Sequence, residues 1–379
     1  MKIKYTVPAT LLLAMAGLAQ ADINIGVSVS ATGPAASLGI PEKNTFAILP
    51  STIAGEKVNY IVLDDATDPG QATKNARKLV SEDKVDVLIG SSGVPASAAI
   101  AEVANETATP QIALSPFDLP PAKNPWVFRT PQHVSLMAKA LVGHMKQSGV
   151  KTLGFIGFND PYGEAWLKEI NLAIADAGIK LAVVERYNRT DTSVGGQVLK
   201  LVAARPDAVI VVGSGTPAAL PHTTLAERGY KGQIYQTHGA VNKEFLKIGG
   251  KALEGGILPA GPVVVAAQLP DSHASKKPAL EYVKLYEDKY GPGSVSSFGA
   301  HAYDAYKLIE KAIPVALKQA KPGTPKFRQA LRDALETERD IVGVHGVYNM
   351  SANDHFGLDE RARVLVRIEN GDWKALAGK

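Results

Sequence analysis

The chain has 379 residues, 45% of them hydrophobic and 21% charged, with no cysteine and a formal net charge of +4. The missing cysteine excludes disulfides, thiolate metal sites, iron–sulfur clusters and a thiol nucleophile. The small charge, with no dense basic run interleaved with aromatics, gives no case for nucleic acid.

The N-terminus reads as a secretory signal peptide over residues 1–21. Lys2 and Lys4 make a basic start, Leu11–Leu18 is a short apolar run, and Ala19-Gln20-Ala21 offers small residues for cleavage before Asp22. No cysteine follows, so no lipid is attached, and the remainder is expected in a bacterial periplasm. No later run reaches the roughly 18 apolar residues of a membrane span. The rest of the chain is too long for one ordinary core, which predicts two domains.

Short apolar runs then alternate with helical patterns. The expected strands are Ile23–Ser30, Val58–Leu63, Val85–Gly90, Gln111–Leu114 and Thr152–Phe158, then Leu181–Glu185, Ala208–Val212, Gln233–Gln236 and Gly256–Leu258. Helical spacing lies between them. In Asp68–Glu82, Ala72, Ala76, Leu79 and Val80 share one face, and in Pro95–Thr107, Ile100, Val103 and Ala104 do. The alternation predicts an α/β fold with mainly parallel sheets. A first unit ends with the helix Ser135–Gln147, and a new series starts near Thr152. Residues 259–278 are rich in Pro, Gly and Ser and read as a long loop. The helices Pro278–Tyr290, Ser297–Ala320 and Pro325–Leu335 lack strands and are expected to pack back on the first unit. His345–Asn349 and Val364–Glu369 are expected to pair as a terminal hairpin. The resulting division is 22–142 with 269–345, and 143–268 with 346–379.

Two such units joined by several crossings make a clamp, with a ligand held between them at the C-terminal strand ends. The loops there supply the candidates. The first strand runs into Thr32-Gly33-Pro34 and Ser37. The third runs into Gly90-Ser91-Ser92-Gly93-Val94-Pro95-Ala96-Ser97, where free N–H groups at a helix start suit a carboxylate. The strand ending at Ala113-Leu114-Ser115-Pro116-Phe117 should lie beside it, so that Ser92, Ser97 and Ser115 converge. In the second unit Asp160-Pro161-Tyr162-Gly163, Gly213-Ser214-Gly215 and Thr237-His238-Gly239 end strands. Each loop taken alone reads equally well as a capped strand-to-helix turn.

In order and spacing these loops resemble the periplasmic branched-chain amino acid-binding family of ABC importers. The resemblance rests on Ile25-Gly26-Val27 leading to Thr32-Gly33-Pro34, Asp64-Asp65, Gly90-Ser91-Ser92, Trp126–Thr130, Asp160–Gly163, Pro206-Asp207 and Tyr303-Asp304-Ala305. It implies a two-lobed type I periplasmic binding fold that needs no cofactor and docks as a monomer on a permease. It also implies that the Ser92–Ser97 and Ser115–Phe117 loops hold a ligand carboxylate and that Tyr162 lines the second-lobe wall; with the strand-end loops above, the candidate site is Ser37, Ser92, Gly93, Ser97, Ala113, Ser115, Phe117, Tyr162, Ser214, His238 and Gly239. Amino-acid binders of the family place an acidic residue where this chain has His238, which favours an acid without an ammonium group; Asp160 and Asp304 are the alternative acceptors. The run Phe128–Gln132 followed by Leu136-Met137-Ala138 resembles a branch associated with aromatic and other hydrophobic carboxylates. Branched-chain amino acid binding and ligand sensing stay open. A secreted hydrolase is remote: Gly-x-Ser-x-Gly and His-Glu-x-x-His are both absent.

Overall fold

The computed structural model describes residues 22–376; the expected leader, 1–21, lies outside the described residues. Two sheets dominate. The first has the order β2-β3-β1-β4-β5-β6, from β1 (Ile23–Val29), β2 (Thr52–Ile53), β3 (Glu56–Asp64), β4 (Val87–Gly90), β5 (Gln111–Ala113) and β6 (Val127–Arg129). All its pairs are parallel except β2 with β3. Helices α1 (Ala36–Phe46), α2 (Pro69–Ser81) and α3 (Val94–Glu106) connect its strands. The apolar runs are what a sheet covered on both faces requires.

The chain then enters α4 (Val134–Gln147) and the second sheet. Its strands are β7 (Thr152–Phe158), β8 (Lys180–Tyr187), β9 (Ala208–Val212), β10 (Gln233–Gln236) and β11 (Ile257–Ala260). Helices α5 (Pro161–Ala177), α6 (Gly195–Ala204), α7 (Ala219–Glu227) and α8 (Lys243–Gly249) lie between them. The α4 side chains Met137, Leu141 and Met145 share a buried core with Phe155, Trp166 and Ile170, so this helix packs with the second sheet.

Helices α9 (Lys276–Tyr290), α10 (Ser297–Leu317) and α11 (Pro325–Thr337) follow. Ala302, Leu308, Ile309 and Ile313 of α10, and Phe327 and Leu331 of α11, join Ile25, Val27 and Ile89 in the core of the first sheet. The late helices therefore return to the first lobe.

Helix starts are written locally. Asp68, Asp160 and Thr324 each accept a hydrogen bond from a first-turn N–H, and each is followed by proline at the first helical position. The C-terminus differs from expectation. Val347–Tyr348 (β13) pairs with Ile341–Val342 (β12), not with Val364–Glu369 (β14). β14 instead pairs with β15 (Asp372–Ala375) and with β11. Asn370 and Gly371 at the tip have φ of 54° and 71°. Both being positive, they make the turn that matches strand twist, so the Asn-Gly pair sets this hairpin.

Candidate ligand-binding cleft

In each sheet the strand order reverses beside the earliest strand, β1 in the first and β7 in the second. Crevices open at such points beyond the C-terminal strand ends. The two crevices face each other across one cavity, lined from both lobes. The void is about 20 Å3, where one buried water needs roughly 10–15 Å3. At the rim Ser37 Oγ accepts a hydrogen bond from Thr216 N, 3.3 Å away in the other lobe.

The first-lobe wall offers hydroxyls and helix-start N–H groups. Ser92, Gly93 and Val94 line the cavity at the start of α3, whose cap position, Gly93, offers no side chain to its first-turn N–H groups. Ser92 Oγ accepts from Ser30 N at 3.0 Å and shares a short hydrogen bond with Glu42 Oε2. Ser115 also lines the cavity, but its hydroxyl donates to Ser97 Oγ at 2.7 Å. Ser97 in turn donates to Ser91 O at 2.7 Å and accepts from Ser91 N at 2.8 Å. Leu38, Leu114, Pro116, Pro131, Phe298 and His301 complete this side.

The second-lobe wall is aromatic, with one cation. Tyr162 bonds Thr237 Oγ1 at 2.8 Å, and Thr237 donates to Gly213 O at 2.8 Å. Burial pushes the Tyr162 phenol up to about 12, so it stays neutral. The His238 ring lies 5.7 Å from that of Trp166 and 6.4 Å from that of Tyr162. Burial, with a smaller push from His345, lowers His238 to about 3. Neither of its ring nitrogens has a partner among the described residues, nor has Nδ1 of His301. Arg189 follows β8. Its Nε donates to Asp160 Oδ2 at 2.6 Å, its Nη1 to Ser214 Oγ at 2.8 Å, and its guanidinium lies 4.2 Å from the Phe158 ring centre. Nη2 carries no hydrogen bond among the described residues.

Of the residues singled out from sequence, Ser92, Gly93, Ser115, Tyr162, Ser214, His238 and Gly239 line this one cavity. Ser37 stands at its rim. Ser97 and Ala113 lie behind the wall, fully buried, and Phe117 packs 4.9 Å under the guanidinium of Arg129. The sequence reading passed over Arg189, Phe298 and His301. Arg189 escaped because that reading ends the strand at Glu185, whereas β8 runs to Tyr187 and carries the arginine to a strand end. Phe298 and His301 sit within a helix, where spacing alone marks them as core.

The comparisons agree with this architecture. The family model of the periplasmic binding protein matches residues 22–372. A Leu/Ile/Val-binding protein homolog from Brucella abortus is 26% identical over 356 residues, 86% of this chain and 89% of the relative. An extracellular ligand-binding receptor from Rhodopseudomonas palustris is 49% identical and superposes with a TM-score of 0.92, covering 94% of this chain and 99% of the other. A solute-binding protein of an ABC transporter from R. palustris, in complex with benzoate, shares the fold at 18% identity, with a TM-score of 0.80 over 94% and 96% of the two chains. Two facing α/β lobes around one cavity, matched by the family model along nearly all the described residues, place this chain in the periplasmic binding protein family.

Proposed function

We propose that this protein captures a small carboxylate lacking an ammonium group, with an aromatic or otherwise hydrophobic body, and delivers it to an importer's permease. The observation that carries this reading is the charge in the cleft. Among the described residues, Arg189 is the one lining side chain with a permanent charge, and no Asp or Glu lines the cavity. A buried ammonium needs an acceptor. The two carboxylates nearest to that role are already engaged. Asp160 takes Arg189 and the N–H groups of Tyr162 and Gly163. Asp304 takes Val344 N, His345 N, the His345 ring and the Tyr348 hydroxyl. Tyr162, His238 and Phe298 offer flat faces for an apolar body, and benzoate is the ligand of one structural neighbour.

No chemical step is involved. A ligand touching Ser92 and the α3 start in one lobe, and Arg189 in the other, favours the closed clamp. Shifting a clamp from 1:99 to 99:1 takes about 5.5 kcal/mol of differential binding, within reach of charge-assisted hydrogen bonds plus apolar contact. On this reading the protein works as a monomer in the periplasm after cleavage at Ala21. The division 22–142 with 269–345 and 143–268 with 346–379 is adjusted on this reading at two places: α4 packs with the second sheet, which moves the first crossing forward to the segment before Val134, and Tyr348 and Met350 pack with the first sheet.

The test is a thermal-shift panel on protein unfolded and refolded to strip carried ligand. Leucine, valine and phenylalanine are set against benzoate, hydroxybenzoates, phenylpropanoids and aliphatic acids. A ligand at 100 times its Kd adds about 2.7 kcal/mol, read as a raised midpoint. A response to acids without an amino group supports the reading. A response to amino acids alone overturns it in favour of the second reading, which rests on the relatives named for Leu/Ile/Val binding.

A further inference from the structure

Behind the first-lobe wall lie two buried carboxyl groups that the binding scheme does not yet use, Glu42 on α1 and Asp65 after β3, both fully buried. Their surroundings differ sharply. Asp65 accepts four hydrogen bonds, from Ser28 Oγ at 3.1 Å, Ser30 Oγ at 2.7 Å, Ser91 Oγ at 2.6 Å and Thr67 N at 3.1 Å. Such a shell solvates a negative charge. Glu42 has one partner, Ser92 Oγ, while its Oε1 is buried with none. No Lys or Arg bonds to it among the described residues. A second buried negative charge near Asp65, with one oxygen bare, is the costlier arrangement. Burial, reinforced by Asp65, pushes the Glu42 carboxyl well above the ordinary glutamate range.

We infer that Glu42 holds its proton, donates it to Ser92 Oγ, and so fixes Ser92 as a hydrogen-bond donor to the anion in the cleft, a role that rests on the carboxylate reading above. The argument is a count of lone pairs. A serine oxygen has two lone pairs and one proton. Ser30 N already occupies one lone pair. The Glu42 O–H occupies the other. The Ser92 proton then has neither of these neighbours as acceptor and is left for the cavity that Ser92 lines. With Glu42 ionised the pattern reverses: Ser92 donates backward to the carboxylate and offers an anion nothing. Glu42 thus acts as a positioning residue, setting the sign of a hydroxyl that is chemically ambivalent. Ser115 shows the opposite setting, since its proton goes to Ser97.

Infrared difference spectroscopy at about pH 7, where an ordinary glutamate is ionised, tests this directly. The expected result is the C=O stretch of a protonated carboxylic acid in the wild-type protein, lost in Glu42→Gln. The band should shift when benzoate is added, because an anion drawing on the Ser92 proton strengthens the bond behind it. Ser92→Ala should abolish that shift. If Glu42→Gln does not fold, glutamate labelled with carbon-13 at the carboxyl carries the same reading in the wild-type chain. Absence of the band overturns the proposal whatever the protein binds. A band that ignores bound benzoate overturns the coupling to Ser92. A band present while no carboxylate binds locates the failure in the functional reading, and the donor role of Ser92 falls with it.

Discussion

Arg189 is held by Asp160, Ser214 and the face of Phe158, an arrangement that fixes the guanidinium of a cavity-lining residue while leaving Nη2 without a hydrogen bond among the described residues. A pre-oriented guanidinium loses little freedom on meeting a carboxylate. Arg189→Met keeps the apolar stem and removes the charge. We expect carboxylate affinity to fall tenfold or more by isothermal calorimetry, and unchanged affinity would remove Arg189 from the site. The two serines opposite are not equivalent. Ser115 has already given its proton to Ser97, whereas Ser92 has two donors aimed at its oxygen if Glu42 is an acid. Ser92→Ala should therefore weaken binding by tenfold or more, a hydrogen bond to a charged group contributing roughly 1.5–3 kcal/mol, and Ser115→Ala by less than about threefold. The double variant should lose at least as much as Ser92→Ala. Equal losses in the two single variants would contradict the hydrogen-bond directions drawn here.

At the scale of elements, α5 joins the two levels. Its first turn carries Tyr162 into the cavity wall, and its cap Asp160 grips Arg189. The helix starts so close to β7 that a Cβ on Gly163 would lie 1.8 Å from Phe158 O. Gly163→Ala must push α5 off the strand end. The expected cost is about 1–3 kcal/mol, as for other overpacked sites, read as a lower denaturation midpoint, together with weaker ligand binding as Tyr162 and Asp160 move. Full stability would mean that the approach is looser than drawn. The strands around this helix were legible because a sheet buried on both faces must be continuously apolar: Thr152–Phe158 and Ala208–Val212 appear at the expected bounds. The serine and glycine loops after β4, β5, β9 and β10 were legible for a related reason, since polar, small residues right after such runs mark strand ends. Arg189 was not, because β8 is only half-buried and its pattern fades before its end. Phe298 and His301 were not, because a helix face turned toward a cleft carries the same apolar spacing as one turned toward a core. The terminal hairpin was misjudged where an Asn-Gly turn outweighed the stronger apolar run before it.

At the scale of the molecule, neutral buried histidines tie stability to pH, and the hinge ties the cavity to closure. Burial holds His238 down to about 3 and His222 to about 4. In the unfolded chain each titrates near 6.5. Below that pH the unfolded state binds protons that the native state refuses. The stability present above about pH 6.5 is therefore lost progressively as pH falls toward 3. The thermal midpoint should decline between about pH 6.5 and 5, and decline less steeply in His222→Gln; identical slopes would exclude His222 as a contributor. The hinge prediction rests on two chain crossings packed against His345 of the first lobe. Gln132 precedes α4, Gly261 follows β11, and His345 lies between β12 and β13. A Cβ on Gly261 would sit 2.0 Å from His345 Cδ2 and 3.0 Å from Gln132 Nε2. His345 is itself immobilised by Asp304 at 3.0 Å and Ser297 at 3.1 Å, and its ring stacks 3.8 Å from His301, which lines the cavity. The Gly261 crossing and the cavity wall thus lie on either side of one stacked imidazole pair. Gly261→Ala wedges the crossings apart without touching the cavity lining. We expect it to shift the clamp toward open, so that the drop in radius of gyration on adding ligand, measured by small-angle scattering, shrinks or disappears while the fold persists. A ligand-induced compaction equal to that of the wild-type protein would show that closure does not pass through this contact.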